Sequence, residues 1–417
     1  MPTLNLEFVR RQFPAFSEPT LEGWAFFENA GGSYACAAVI DRLHRYYRET
    51  KVQPYGSYPA SIRAGNKMNE AYRRLAGYLN VGEDEVHFGP STSQNTYVLA
   101  RAFRDTWQSG DEVIVTNQDH EANSGCWRRL ADTGIVVREW RIDPKTGMLN
   151  PDDLDPLLSD RTRLVAFPHC SNIVGHINPV ADIAAKAHAV GARIIVDGVA
   201  AAPHGLPDVA ALEADVYLFS LYKTYGPHQG LMVVRAPLLA ALSNQGHFFN
   251  AEVKRKKLIP AGPDHGQIAA AAGIADYLDA LYNHHFTEPV PATTEAEVDA
   301  GERGRRLRKL FRQAEQAQLA PLLEWLRHRD DVRIVGPADA TQRVPTVSVT
   351  THKHTTASVA RALAAHRIMA GHGHFYAVRV LDGVGVPREP GVLRMSFVHY
   401  TTADEVTRLI EALDQIL

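Results

Sequence analysis

The sequence predicts an α/β fold: a large domain whose mostly parallel sheet is flanked by helices, followed by a smaller α+β domain. Two observations carry this. Short β-branched runs, "EVHFG", "DEVIVTN", "TGIVVREW", "TRLVAFPH", "ARIIVDG", "DVYLFS" and "GLMVVR", alternate with segments of helical periodicity such as "STSQNTYVLARAFRDTW" and "VADIAAKAHAVG". Such alternation builds βα units. The chain is also 417 residues long, more than one ordinary core accommodates, so two domains are expected.

In order along the chain, the large domain is expected to span residues 14–281, since the βα alternation runs through it without a break. The stretch "HHFTEPVPATTEAEVDAGERG", rich in Pro, Thr and Glu, then reads as a linker or exposed connection. The small domain is expected over residues 295–417, joined by the N-terminal segment 1–13. It holds a long helix ("RGRRLRKLFRQAEQAQLAPLLEWL"), strands ("VRIVG", "VPTVSVT", "GVLRMSF") and helices ("ASVARALAAH", "ADEVTRLIEALDQI"). A hydrophobic share of 45% with 22% charged residues is that of a folded, water-soluble chain. The formal net charge of -3 points to neither nucleic acid nor an anionic membrane, and the basic runs "KRKK" and "RGRRLRK" read as solvated faces. The start "MPTLNLEFVRRQFPAF" places Glu7 and arginines among its apolar positions, unlike a signal peptide, and no apolar stretch is long enough to span a bilayer. A cytoplasmic location is expected. Cys36, Cys126 and Cys170 are scattered without C-x-x-C spacing, which argues against a disulfide framework and against a zinc site.

Chemistry collects at the ends of the apolar runs. In "FSLYKTYGPHQG", Lys223 stands two residues past a run that reads as a strand buried on both faces, so it belongs at the carboxyl edge of a parallel sheet, where α/β folds bind ligands. Taken alone it is equally a surface lysine with its stem on apolar neighbours. "ARIIVDG" ends on Asp197 in the equivalent place. A lysine and a carboxylate at strand ends suit an aldehyde cofactor with a protonatable ring nitrogen, the lysine forming a Schiff base and the aspartate keeping the ring protonated. A structural ion pair or a helix cap accounts for the same two residues. "GPSTSQNTYVLA" opens a helix with hydroxyls, so Thr92, Ser93 and their free backbone amides suit a phosphate, or plain N-capping. "TNQDHEANSGCW" puts His120 just after another strand, where an imidazole can stack on a planar ring or serve as a structural residue.

These residues, in this order, resemble the class V aminotransferase family of pyridoxal 5'-phosphate enzymes, and within it the cysteine desulfurases; the resemblance spans nearly the whole chain. "FFENAGGS" is similar to the family's "LDNAA" segment and implies that Asn29, Ala30 and Gly31 line the active-site floor. "DHEAN" resembles "EHHAN", which makes His120 the residue stacked on the cofactor ring. "HCSNIVGHINP" resembles "HVSNVLGTxNP", which gives Asn172 the ring oxygen. "VDGVAAAPH" resembles "VDGAQAxxH", which sets Asp197 on the ring nitrogen. "FSLYKTYGPHQG" resembles "FSGHKxYGPxG", which makes Lys223 the Schiff-base lysine and sets Ser220 on the phosphate. "LRMSFVHYTTADEV" is like "xRxSFxxYNTxEEV", which puts Arg394 on the substrate's α-carboxylate. The resemblance implies fold type I, a small-molecule α-amino acid as substrate, a homodimer, and Lys223, His120 and Asp197 as the catalytic residues.

The departures bear on the reaction. The desulfurase loop "GHHCA", whose Cys takes up sulfur as a persulfide, is "GHFYA" here, with Tyr376 in the place of the Cys. A phenol cannot replace a thiolate as sulfur acceptor. The histidine of "FSGHK" is Tyr222, still able to donate to the phosphate, and the Gln of "VDGAQA" is Ala200. Pro263, in "AGPDHGQI", stands where the family's partner subunit offers "GTPN" to the phosphate. In "GHGH", substrate contact by His372 or His374 is preferred to metal ligation, since no carboxylate or Cys stands nearby at zinc spacing. The expected reaction is cleavage at Cβ of the C–S lyase type without a persulfide cysteine. Cβ–C cleavage, kynureninase-like or decarboxylative on an aspartate-like acid with an enamine intermediate, is the alternative, followed by an aminotransferase or an epimerase.

Overall fold

The computed structural model describes residues 2–286 and 299–417, and the expected linker lies mostly outside them. The described chain forms two compact units: Met1–Glu18 with Ser33–Trp107 and Gly205–Phe311, and Pro19–Gly32 with Gln108–His204 and Arg312–Leu417.

In the first unit, strand Gly230–Val234 pairs antiparallel with both Val86–Gly89 and Val216–Ser220. All of its residues are buried, and an apolar run buried on both faces carries no sign of its direction. The direction is set by the connection: residues 221–229 form a tight turn with no crossover helix, and a parallel neighbour needs a crossover. Three of the unit's helices pack together: Ala37–Glu49, Pro59–Leu79 and His265–Phe286. Pro59 opens its helix where no N–H is needed, and Asn80, at φ 56°, closes it in the left-handed region. Gly273 lets the third helix approach the first, for a Cβ there would stand 2.5 Å from the Val39 amide nitrogen. Where the three meet, Arg42 pairs with Glu70 at 2.8 Å and with Asp276, while Arg74 pairs with Asp279 at 2.6 Å and also with Asp276. Their half-buried setting makes this network a device for orientation more than for net stability.

In the second unit, strands Arg193–Asp197, Thr162–Pro168, Glu112–Thr116 and Val136–Trp140 pair in parallel in that order. A smaller antiparallel sheet runs Gly371–Gly373, Val392–Ser396, Thr346–Thr351, Val332–Val335. Its core gathers Val347, Val349, Leu393 and Met395 from the strands, with Leu319, Leu323, Leu363 and Leu409 from helices. Each such side chain contributes about 1.5–3 kcal/mol by leaving water. Helix Ala403–Ile416 begins with a reciprocal cap: Thr402 Oγ1 accepts from the Glu405 amide at 3.0 Å, and the Glu405 carboxylate accepts from the Thr402 amide at 2.8 Å. No described helix is long and apolar enough to cross a membrane.

Candidate active site

The first unit holds Thr92, Ser93, Ser220, Tyr222 and Lys223. Helix Thr92–Arg104 follows strand Val86–Gly89, capped by Ser91, whose hydroxyl accepts from the Gln94 amide at 3.2 Å. The amides of Thr92 and Ser93, first in the helix, have no intrahelical acceptor. Thr92 and Ser220, both buried, join hydroxyls at 2.8 Å. Gly230 makes this approach possible, since a Cβ would stand 2.5 Å from the Thr92 nitrogen. Lys223 closes the short turn Leu221–Lys223 and is half-buried. That turn is held rigidly: the Thr224 and Gly226 amides both donate to the Leu221 carbonyl at 2.8 Å, and the Ser33 amide donates to the Tyr222 carbonyl at 3.1 Å. Tyr222 stacks on His228 at 4.7 Å, and burial raises its phenol above the usual range. A cavity of about 510 Å³ beside this helix is lined by Gln94, Val98, His228, Pro263 and Gln267 among others.

The second unit holds the remaining predicted residues. His120 caps the turn Glu121–Asn123, its Nδ1 accepting from the Ala122 amide at 3.0 Å, which leaves the neutral ring protonated on Nε2. Asp119, fully buried, bonds to Thr116 and accepts from Asn123 Nδ2 at 2.8 Å; burial lifts its carboxyl well above the usual range. Asp197 ends its strand and accepts from the Val199 amide at 2.9 Å.

One cluster here was only partly legible in the sequence. Arg394, buried on strand Val392–Ser396, donates from Nη2 to Glu28 Oε1 at 2.6 Å and from Nη1 to the Asn172 carbonyl at 3.3 Å. The Phe375 ring lies 3.7 Å from its guanidinium carbon. Burial pulls the guanidinium below its usual range, and Glu28 partly offsets this. Asn172 Nδ2 donates to the Phe375 carbonyl at 3.0 Å, while Asn172 Oδ1 is buried with no hydrogen-bond partner among the described residues. The loop continues into Tyr376, which is 69% exposed, with its ring centroid 5.5 Å from that of His120. Its carbonyl accepts from the Glu121 amide at 2.8 Å, and its amide donates to His374 Nδ1 at 3.1 Å. Phe375 and Tyr376, at φ 47° and 58°, sit in the left-handed region, where a non-glycine residue is strained.

Asn29, Ala30 and Gly31 form a turn fastened to the same strand. The Asn29 side chain donates to the Phe26 and Ser396 carbonyls, each at 3.2 Å, and bonds Tyr400, while the Ala30 amide donates to Ser396 Oγ at 2.9 Å. The Asn29 side chain therefore holds the turn in place. Glu28 and Phe375 were not singled out in the sequence. Glu28 was visible as the acid in "FFENAGGS", at the Asp of "LDNAA"; the stacking of Phe375 had no signal.

The residues present fit pyridoxal phosphate. In the first unit the hydroxyls of Thr92, Ser93, Ser220 and Tyr222 are donors of the kind a phosphate needs and Lys223 carries an amine; in the second, Asn172 Oδ1 is a buried acceptor of the kind a ring hydroxyl needs. All three cysteines are buried, and burial pushes the Cys36 and Cys170 thiols up to about 12.

Comparison with known proteins gives the family and the fold. The family model described as "Aminotransferase class-V" matches residues 25–252 and 309–409. The chain is 36% identical over 425 residues to the aminotransferase-like protein FGM3 of Gibberella zeae, covering 100% of this chain and 99% of that one. It is 30% identical over 435 residues to a cysteine desulfurase of Cronobacter sakazakii, covering 99% and 98%. A solved cysteine desulfurase from Thermococcus onnurineus NA1 superposes with a TM-score of 0.84 at 21% identity, over 100% of this chain and 98% of that one, which gives the fold as fold type I. The chain belongs to the class V aminotransferase family and is a pyridoxal-phosphate-dependent enzyme.

Proposed function

We propose that the enzyme takes an α-amino acid and breaks the bond from Cβ to its substituent, releasing sulfur without passing it to a protein cysteine. The observation that carries this is the loop Gly373–Ala377, which bears Tyr376 where desulfurases carry the acceptor Cys. Buried Cys36, Cys126 and Cys170 offer no ready thiolate in its place.

When bound, pyridoxal phosphate supplies an aldehyde for the substrate amine and a ring that accepts the electrons of the broken bond. Thr92, Ser93, Ser220 and Tyr222 would hold its phosphate, Asn172 its ring oxygen and Asp197 its ring nitrogen, and His120 would pack against the ring. Arg394 fixes the α-carboxylate and so aligns the bond at Cα. Lys223 anchors the cofactor and moves the Cα proton, and His374 or Tyr376 serves as the acid or base near Cβ. The protein works as a dimer in the cytoplasm, with the large domain at 14–281 and the small one at 295–417.

A second reading is favoured by Arg379, two residues past the loop. Its ion pair with Glu121 spans 3.7 Å, and its Nε is buried without a hydrogen-bond partner among the described residues. A cation with donors to spare suits an anionic side chain, so loss of carbon dioxide from an aspartate-like acid, leaving an enamine nucleophile, is the alternative. The test is a titration of the holoenzyme with cysteine, cysteine S-conjugates, cysteine sulfinate and aspartate, with sulfide, sulfite, pyruvate, alanine and carbon dioxide assayed. Sulfur release with pyruvate or alanine is the expected result; carbon dioxide from aspartate with no sulfur release would establish the second reading instead.

A further inference from the structure

Arg394 is engaged at both terminal nitrogens and on one face in this structure. Its Nη2 is taken by Glu28, its Nη1 by the Asn172 carbonyl and its face by Phe375. A carboxylate bound to arginine through two parallel hydrogen bonds needs two adjacent N–H groups, and both adjacent pairs, Nε with Nη2 and Nη1 with Nη2, include the nitrogen that Glu28 occupies, while Nε is buried without a partner among the described residues. Glu28 Oε2 is likewise buried without a hydrogen-bond partner, so the ion pair is satisfied on one oxygen only.

The seat of the Glu28 carboxylate is built from missing side chains. A Cβ on Gly31 would stand 2.8 Å from Glu28 Oε1, and a Cβ on Gly371 would stand 2.8 Å from Glu28 Cδ. Two glycines from separate stretches of the chain thus make room for one carboxylate beside one guanidinium. The two partners differ in freedom: the Arg394 side chain is 3% exposed and fixed in the sheet, whereas that of Glu28 is 28% exposed and can turn toward water.

We propose that Glu28 is a specificity-determining residue: it occupies the carboxylate seat of Arg394, and substrate binding exchanges it for the substrate's α-carboxylate. This rests on the reading of Arg394 as the α-carboxylate site. The exchange keeps the buried guanidinium paired at every stage, so its charge is never left alone in a dry setting. It also sets a threshold, because a ligand without a carboxylate gains nothing by displacing Glu28, and a weak one does not displace it.

The test uses propionate, which has a carboxylate and no amine, titrated calorimetrically into holoenzyme at constant ionic strength. Glu28→Gln, of equal size and no charge, should bind propionate about tenfold more tightly than wild type, and KM for an amino-acid substrate should fall by more than kcat changes. Should Glu28→Gln fold poorly, Glu28→Asp, which draws the carboxylate back, should shift binding the same way by less. The double variant Glu28→Gln with Arg394→Gln, which leaves no lone buried charge, should lose the gained affinity. Unchanged or weaker propionate binding in Glu28→Gln, with a lower melting temperature alone, overturns the proposal and leaves Arg394 in its role. Retained binding in the double variant overturns the reading of Arg394 and the proposal with it.

Discussion

Asn29 shows how a residue in a functional motif can work as a fastener. Its side-chain amide donates to two carbonyls, that of Phe26 before the turn and that of Ser396 on strand Val392–Ser396, in a setting 2% exposed. Asn29→Ala should cost about 1–3 kcal/mol, because the buried Tyr400 hydroxyl loses its acceptor and the Phe26 carbonyl loses a donor, while the Ser396 carbonyl keeps the Asn29 backbone amide; chemical denaturation measures it, and a cost below about 1 kcal/mol would mean that the turn holds by other contacts. At this scale the sequence was legible wherever a polar residue closed an apolar run: Asp197 ends its strand, and Lys223 and His120 stand just past theirs. It was illegible where a neighbour distant in the chain decides what a side chain touches. The resemblance marked Arg394 for a carboxylate, but only the fold puts Glu28 against it, 366 positions away in sequence.

Among the elements, the helices of the first unit are joined closely enough for one methyl group to matter. Gly273 lies inside helix His265–Phe286, where alanine is better by about 1 kcal/mol on propensity alone. A Cβ there meets the backbone of Ala38 and Val39, which cannot rotate away. Gly273→Ala should therefore destabilise by about 1–3 kcal/mol, read as a lower denaturant midpoint; a higher midpoint would show that the helices separate freely. The strands were legible as apolar runs, but the direction of Gly230–Val234 was not, because a strand buried on both faces reads alike either way. Strand Gly371–Gly373 was hidden for another reason: "GHG" has little strand propensity and is held by its pairing with Val392–Arg394.

For the whole molecule, acid is the condition that tests the fold. His87 is fully buried, and burial lowers its pKa from 6.5 to about 4; fully buried His399 is lowered well below its usual value for the same reason. Between these values the unfolded chain binds a proton that the folded chain refuses, so stability is complete above about pH 6.5 and falls as pH drops toward 4. For His87 alone the loss is about 2–3 kcal/mol by pH 4.5. Urea unfolding of His87→Leu and wild type at pH 7.5 and 4.5 checks this: the difference should move in favour of the variant by that amount on acidification, and a constant difference would refute it. The family was legible because its motifs recur in order along the chain, whereas the bond broken was not, since that depends on a loop known mainly by what it lacks. The glycines around Glu28 have a consequence in evolutionary time. Glu28, Gly31 and Gly371 are coupled: a side chain at either glycine pushes the carboxylate off its seat beside Arg394, so substitutions at these three positions are expected to combine non-additively as lineages diverge.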